Sequence, residues 1–281
     1  MKHVGIINKI IPFSAVDGPG CRTAVFFQGC NFNCQYCHNP ETISLCKLCG
    51  NCVSHCPTGA IYIKEQKVVY EKEKCVECDA CLKACPYNSS PKTTVYTPRK
   101  LVETIAVNIP FIRGVTFSGG ECTLQREFLE EVIPLLSERG LNVLLDSNGT
   151  FSFEQILPIL EQIEGVMLDI KAFSLEDHIK VTENENRIVL TNAVELAERG
   201  KLKEVRTVIV PELFDTKKTV IQTAELLQNY NKQSEIQYKL IKYRPIGVRK
   251  EKAIYSTPDT PYMEELKEIV HSFGFKKVTI T

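Results

Sequence analysis

The sequence has no excess charge of either sign: Lys plus Arg number 34 and Asp plus Glu number 34. It contains no long run of like charge either. A balanced chain exerts no global attraction on nucleic acid or on an anionic membrane, so neither is an expected partner. No apolar stretch is long enough to span a bilayer. No long apolar core follows residues 1–8, so a secretory leader is not expected. Low-complexity tracts are absent. So is any Ser-His-Asp or Cys-His set of the kind that serves nucleophilic catalysis.

Cysteine is what the chain has in plenty, with 13 in 281 residues. Secreted disulfide scaffolds reach such counts, but they are short. The thiols are therefore expected in a reducing cytoplasm, where clustered cysteine reads as metal binding. Eleven of the thirteen lie between Cys30 and Cys85.

The first group sits in Gln28-Gly29-Cys30-Asn31-Phe32-Asn33-Cys34-Gln35-Tyr36-Cys37-His38-Asn39-Pro40. Thiolates spaced four and then three apart suit three irons of a 4Fe–4S cubane. Electron-transfer clusters take four cysteines. A three-cysteine loop leaves one iron open, and an open position is where substrate chemistry happens. S-adenosylmethionine can chelate that iron through its amino and carboxylate groups. A zinc site is the competing chemistry.

Two further blocks repeat one pattern. Cys46, Cys49, Cys52 and Cys56-Pro57 are followed by Cys75, Cys78, Cys81 and Cys85-Pro86. This is the bacterial ferredoxin run, in which the fourth cysteine ligates the other cluster. One expected ligand set is Cys46, Cys49, Cys52 and Cys85; the second is Cys75, Cys78, Cys81 and Cys56. Relay of electrons to the three-cysteine site and mere bracing of the segment are both open. Cys21 and Cys122 remain over, as small buried thiols.

Around residues 45–95 the texture is that of an α/β protein. Strands are predicted at 22–27, 114–117, 142–146, 166–170, 205–210 and 236–241. Helices are predicted at 98–107, 126–138, 153–162, 191–198, 217–229 and 261–273. The first of these opens on Thr97-Pro98, an N-cap followed by proline. Strand–helix alternation implies a parallel sheet with crossovers, and six strands make a partial or full barrel. Polar groups follow several strands: Ser118-Gly119-Gly120-Glu121, Asp146-Ser147-Asn148, Asp169-Ile170-Lys171 and Lys242-Tyr243-Arg244. Ligand sites of parallel sheets lie at those ends.

Ser14-Ala15-Val16-Asp17-Gly18-Pro19-Gly20-Cys21-Arg22, Phe27-Gln28-Gly29-Cys30 and Cys37-His38-Asn39-Pro40-Glu41-Thr42 resemble the glycyl-radical-enzyme activating enzymes. These are radical S-adenosylmethionine (SAM) proteins related to the activase of pyruvate formate-lyase. Ile10-Ile11-Pro12-Phe13-Ser14 is similar to the subgroup called YjjW. The resemblance implies a partial (β/α)6 barrel of radical SAM type, residues 1–44 and 96–281, with a bacterial-ferredoxin-like insert at 45–95 carrying two 4Fe–4S clusters. It implies three clusters in all and bound S-adenosylmethionine. Tyr36, Cys37 and His38 would lie by the adenine. Gly119, Gly120 and Glu121 would receive the methionine amino group. Lys171, in Asp169-Ile170-Lys171, would bind the carboxylate. Arg206 is a further candidate for a carboxylate or ribose contact. Asp146, Ser147, Met167 and Asp169 match positions around a monovalent cation. Arg244 stands where relatives carry a cofactor-contacting His, and guanidinium cannot deprotonate. The 17–20 loop is a candidate contact for a partner peptide.

The implied reaction is reductive cleavage of S-adenosylmethionine, with Cys30, Cys34 and Cys37 as the catalytic cluster's ligands. The resulting 5′-deoxyadenosyl radical takes an α-hydrogen from a glycine of a partner glycyl radical enzyme. A one-electron donor such as flavodoxin or ferredoxin supplies the electron. Two alternatives stand beside it: a radical SAM enzyme acting on a small molecule, and a non-catalytic iron–sulfur electron carrier.

Overall fold

A computed structural model describes residues 3–281, with the backbone alone at 232–234; residues 1–2 of the expected first barrel segment lie outside the described residues. The elements follow in chain order. β1 (Gly5–Ser14) and β2 (Arg22–Phe27) precede α1 (Asn51–Ser54), β3 (Ile61–Lys64), β4 (Lys67–Tyr70) and α2 (Ala80–Lys83). Then come β5 (Thr94–Tyr96), α3 (Pro98–Ala106), β6 (Gly114–Gly119), α4 (Arg126–Ser137), β7 (Asn142–Ser147), α5 (Phe153–Gln162) and β8 (Gly165–Asp169). The chain ends with α6 (Leu175–Thr182), α7 (Arg187–Glu198), β9 (Leu202–Ile209), α8 (Thr216–Ser234), β10 (Gln237–Lys242), α9 (Thr260–Ser272) and β11 (Val278–Ile280).

One nine-stranded sheet runs β11-β10-β9-β8-β7-β6-β2-β1-β5. Its pairings from β2 through β6, β7, β8, β9 and β10 to β11 are parallel. Only β1 pairs antiparallel, with β2 on one side and β5 on the other. Among the described residues the sheet has two open edges, β11 and β5, and does not close. The six predicted strands are all present as β2 and β6 to β10, adjacent in that order. The middle strands are buried along nearly their whole length, because helices cover them from outside. Leu101, Ile105, Leu129, Val132, Leu136, Ile159, Leu196, Leu227 and Leu266 join the strand residues in one core.

Local signals account for the helix starts. Thr97 accepts from Lys100 N and Pro98 takes the first turn of α3. Asp215 caps α8 through Lys218 N, and Asp259 caps α9 through Tyr262 N. β1 holds Pro12 inside a strand. The proline falls in the register irregularity between Ile11 and Ser14, past the stretch that pairs with β5, so no ladder donor is missed.

Between β2 and β5 the chain leaves the sheet. Residues 45–93 form a small body in which β3 and β4 make an antiparallel pair, with α1 and α2 beside it. Its core is Cys52, Ile61 and Cys81. The two ends of the body meet where Ser44 N donates to Asn88 O at 3.1 Å. Gln28 fastens this neck to the end of β2: its Nε2 donates to Glu41 O at 2.8 Å and to Ser44 O at 2.7 Å. Thr94 and Val95, on the insert side of the expected 95/96 boundary, already pair with Ile7 and Ile6 of the sheet.

Candidate functional site

The carboxyl ends of the parallel strands surround a cavity of about 300 Å³. Cys30, Cys34 and Cys37 line it from the loop after β2, facing Ser118, Gly119 and Gly120 from β6. Asp146, Ser147 and Asn148 line it from β7, Asp169 and Lys171 from β8, and Arg206 from β9.

The cysteine loop is held at both ends. Gly29 N and Cys30 N donate to Thr42 O and Ile43 O, each at 2.8 Å, and Gln35 N donates to Val181 O at 2.9 Å. Phe32 is buried edge-on against His178, with ring centroids 5.3 Å apart. The β6 turn is pressed against this loop: Gly120 N donates to Phe27 O and Glu121 N to Gly29 O. A Cβ on Gly119 would stand 2.1 Å from Phe27 N, and one on Gly120 would stand 2.1 Å from Gly29 O. Only glycines allow that approach.

Burial pushes the Cys30 and Cys34 thiols up to about 12, against an ordinary 9.0, and raises Cys37 as well. Such thiols stay protonated until a bound cation takes the place of the proton. Lys171 stands on the opposite side of the ledger. Burial disfavours its charge, but Asp169 and Cys34 outweigh burial and hold it well above the usual lysine range. Its Nζ lies 2.6 Å from Asp169 Oδ2 and 5.9 Å from the Tyr36 ring centre. Tyr36 is buried, its hydroxyl donating to Lys171 O at 3.4 Å.

Arg206 is tied on three sides. Nη1 lies 2.8 Å from Asp146 Oδ1, Nε bonds Glu204, and Nη2 donates to Met167 Sδ at 3.1 Å. Lys239 Nζ reaches the same Glu204 at 3.0 Å. Burial works against the guanidinium charge, but Asp146, Glu204 and Asp169 raise its affinity for the proton.

The four residues matched to a cation site lie together at these strand ends and make the following contacts. Asp146 holds Arg206 and accepts from Ser118 Oγ at 2.9 Å; Asp169 holds Lys171; Met167 accepts from Arg206. Ser147 Oγ donates to Glu121 Oε1 at 2.9 Å. Two protein cations, Arg206 and Lys171, thus stand beside the carboxylates of Asp146 and Asp169.

Glu121 differs from its expected placement. It is 0% exposed and does not line the cavity. Its carboxylate accepts from Thr123 N, Thr123 Oγ1 and Ser147 Oγ, and from Asn148 N at 2.7 Å. It knots the β6 turn to the end of β7. Burial raises its pKa, and those hydrogen bonds oppose the rise. Ile170 is fully buried, its side chain in the core. Arg244 is exposed and off the cavity, and its carbonyl lies 3.0 Å from His38 Nε2. Gly247 packs against the same residue, and a Cβ there would meet His38 O at 2.5 Å. His38 itself lines the cavity rim.

Further residues complete the site, of which Arg249 and Glu204 were not singled out from sequence. Asn148 lines the cavity, its Nδ2 donating to Asn31 Oδ1 at 2.9 Å and lying 3.9 Å from Cys30 Sγ. Arg249 donates to Cys34 O at 3.0 Å. Glu204 lies two residues before Arg206 on one strand face, a spacing that could have flagged it. Asp17 lines the cavity; Ser14 Oγ donates to Asp17 Oδ2 at 2.5 Å.

The insert gathers its cysteines crosswise. Cys46, Cys49, Cys52 and Cys85 surround one small cavity; Cys56, Cys75, Cys78 and Cys81 surround another. Leu48 N donates to Cys46 Sγ and Glu77 N to Cys75 Sγ, both at 3.4 Å, in matching turns. Among the described residues, no group of three or more His, Cys, Asp or Glu is arranged to hold a single metal ion. Two four-thiol pockets and one three-thiol cavity suit polynuclear iron–sulfur groups. The main cavity also suits a zwitterionic cofactor, with Lys171 for its carboxylate and Asp146 for its ammonium.

Comparison with known proteins agrees with this geometry. Residues 24–227 match the family model described as the radical SAM superfamily. The 4-hydroxyphenylacetate decarboxylase activating enzyme of Clostridioides difficile is 29% identical, over 94% of this chain and 92% of that protein. The indoleacetate decarboxylase activating enzyme of Tractidigestivibacter scatoligenes is 29% identical, over 98% of this chain and 97% of that protein. A domain of the pyruvate-formate lyase-activating enzyme of Bacteroides vulgatus superposes with a TM-score of 0.52 at 23% identity, covering 60% of this chain and 98% of that one. With that family model matched across most of the parallel sheet and the three-cysteine loop at its heart, the chain belongs to the radical SAM superfamily.

Proposed function

We propose that this chain is an activating enzyme that installs a radical on a glycine of a partner glycyl radical enzyme. The observation that carries the reading is the convergence of Cys30, Cys34 and Cys37 on one cavity with Gly119, Gly120 and Lys171. The curated relatives support it, being activating enzymes aligned over nearly the whole chain.

Cys30, Cys34 and Cys37 would hold a 4Fe–4S group with one iron open to S-adenosylmethionine. That pair supplies reductive cleavage to methionine and a 5′-deoxyadenosyl radical, which removes the glycine α-hydrogen. The protein's share is placement and exclusion of competing reactions. Lys171, beside Asp169, would take the cofactor carboxylate. Asp146, oriented by Arg206, would take the ammonium, and Tyr36 and His38 would border the adenine. The 17–20 loop, with Asp17 on the cavity and Val16 76% exposed, offers the partner peptide a way in. No step is assigned to a monovalent cation or to Arg244.

The insert, 45–95, would hold two more 4Fe–4S groups in its crosswise cysteine sets and relay electrons from flavodoxin or a ferredoxin. The thiol-rich sites suit a reducing, anaerobic cytoplasm. Among the described residues, no helix is long and apolar enough to cross a membrane.

The test is anaerobic incubation of the reconstituted, dithionite-reduced protein with S-adenosylmethionine and a glycyl radical enzyme encoded beside it. The expected result is 5′-deoxyadenosine together with a glycyl-radical EPR doublet on the partner, absent from the partner's Gly→Ala variant. Conversion of a small metabolite with no partner protein present would overturn the reading.

A further inference from the structure

Ser89 lies in the neck of the insert and is 2% exposed. Its neighbour Ser90 is equally buried, but Ser90 Oγ accepts from Lys92 N at 3.1 Å. Among the described residues, Ser89 Oγ has no hydrogen-bond partner. A buried hydroxyl left in that state is costly and calls for an acceptor. The space it borders is the cavity enclosed by Cys46, Cys49, Cys52 and Cys85.

The two cysteine blocks provide an internal comparison. Ser89 falls four residues after Cys85, and the matching place after Cys56 is Ala60, fully buried and without a hydroxyl. The second cavity has a different hydroxyl: Thr58 Oγ1 lies 3.8 Å from Cys56 Sγ. Each cavity therefore has its own hydroxyl, placed at a different offset from its Cys-Pro pair.

We propose that the Ser89 hydroxyl donates a hydrogen bond into the iron–sulfur group held by Cys46, Cys49, Cys52 and Cys85 and raises its reduction potential. The inference rests on the cluster assignment given above. Reduction adds negative charge to the sulfurs, so a donor aimed at them stabilises the reduced form more than the oxidised one. Ser89 and Thr58 then set the two insert potentials separately, and with them the order in which the groups fill.

EPR-monitored redox titration of the reconstituted full chain tests this, comparing wild type, Ser89→Ala and Thr58→Val at matched iron content. Ser89→Ala should move one insert midpoint to more negative potential and leave the other in place, and Thr58→Val should move the other. Unmoved midpoints in fully loaded Ser89→Ala, or an equal shift of both, overturn the proposal. If Ser89→Ala fails to load one cluster, Ser89→Thr decides, since it keeps the hydroxyl. A wild-type midpoint in Ser89→Thr supports the proposal, and loss of the cluster there too reduces Ser89 to packing and overturns it. A wild type without two insert signals sinks the cluster assignment itself.

Discussion

Arg206→Met should destabilise the apo-protein more than any exposed charge removal, and the structure gives the size. The guanidinium is 9% exposed and bridges β9 to β7 through Asp146, itself 15% exposed, while Glu204 holds its Nε. Removing one partner of a buried pair costs about 3–5 kcal/mol, because the charge left behind is uncompensated. Both carboxylates keep some company here: Ser118 donates to Asp146, and Lys239 remains 3.0 Å from Glu204. The loss should therefore fall at the low end, about 3 kcal/mol. For a chain of this size each kcal/mol moves Tm by about 2–4 °C, so the expected drop is roughly 6–12 °C. Anaerobic thermal unfolding of the apo-protein, followed by circular dichroism, measures it. A double-mutant cycle with Asp146→Asn should show a coupling of about 1–3 kcal/mol, since the two side chains share one interaction. Additive effects, or a Tm for Arg206→Met within about 1 °C of wild type, would refute the claim that Arg206 works by holding Asp146.

Replacing Cys30, Cys34 and Cys37 together by Ala should remove about a third of roughly 12 iron atoms per chain and all 5′-deoxyadenosine formation, as iron analysis and product assay would read. Gly120→Ala drives a Cβ to 2.1 Å from Gly29 O and should cost the three-cysteine site its cluster while the insert keeps its own iron. In the folded apo-protein Cys30 and Cys34 ionise only near about 12, against 9.0 in the unfolded chain. Their contribution to stability is full below the unfolded value and is lost as pH rises through the folded one. Denaturant titrations across that alkaline window should show falling stability, with a shallower fall in Cys30→Ala/Cys34→Ala.

The parallel strands could be read from sequence because each is a short apolar run with a polar residue at its carboxyl end. β11 and β5 escaped notice because three residues carry no period. β1 was hidden by Pro12, which a bulge accommodates. α6 was missed because Leu175 and Ile179 face solvent while His178 and Thr182 are buried, the reverse of the usual stripe. The crosswise cysteine grouping was legible because the two blocks repeat the bacterial ferredoxin run, whose fourth cysteine ligates the other cluster. The Asp146–Arg206–Glu204 linkage was not. It depends on the register that sets Asp146 beside Met167 and Asp169 beside Arg206, which no single strand reports. Glu121 shows the same limit, since a motif names a carboxylate but not the direction it faces.

The neck at Ser44 and Asn88 has a consequence for how such a chain can change. A segment whose two ends touch can be excised and rejoined by a short turn with little cost in loop closure. Because the cut falls between β2 and β5, no strand of the sheet would lose its register and β5 would keep its pairing with β1. Acquisition or loss of the eight-cysteine body is thus one splice at the sheet's edge, and the barrel could pass through it without refolding.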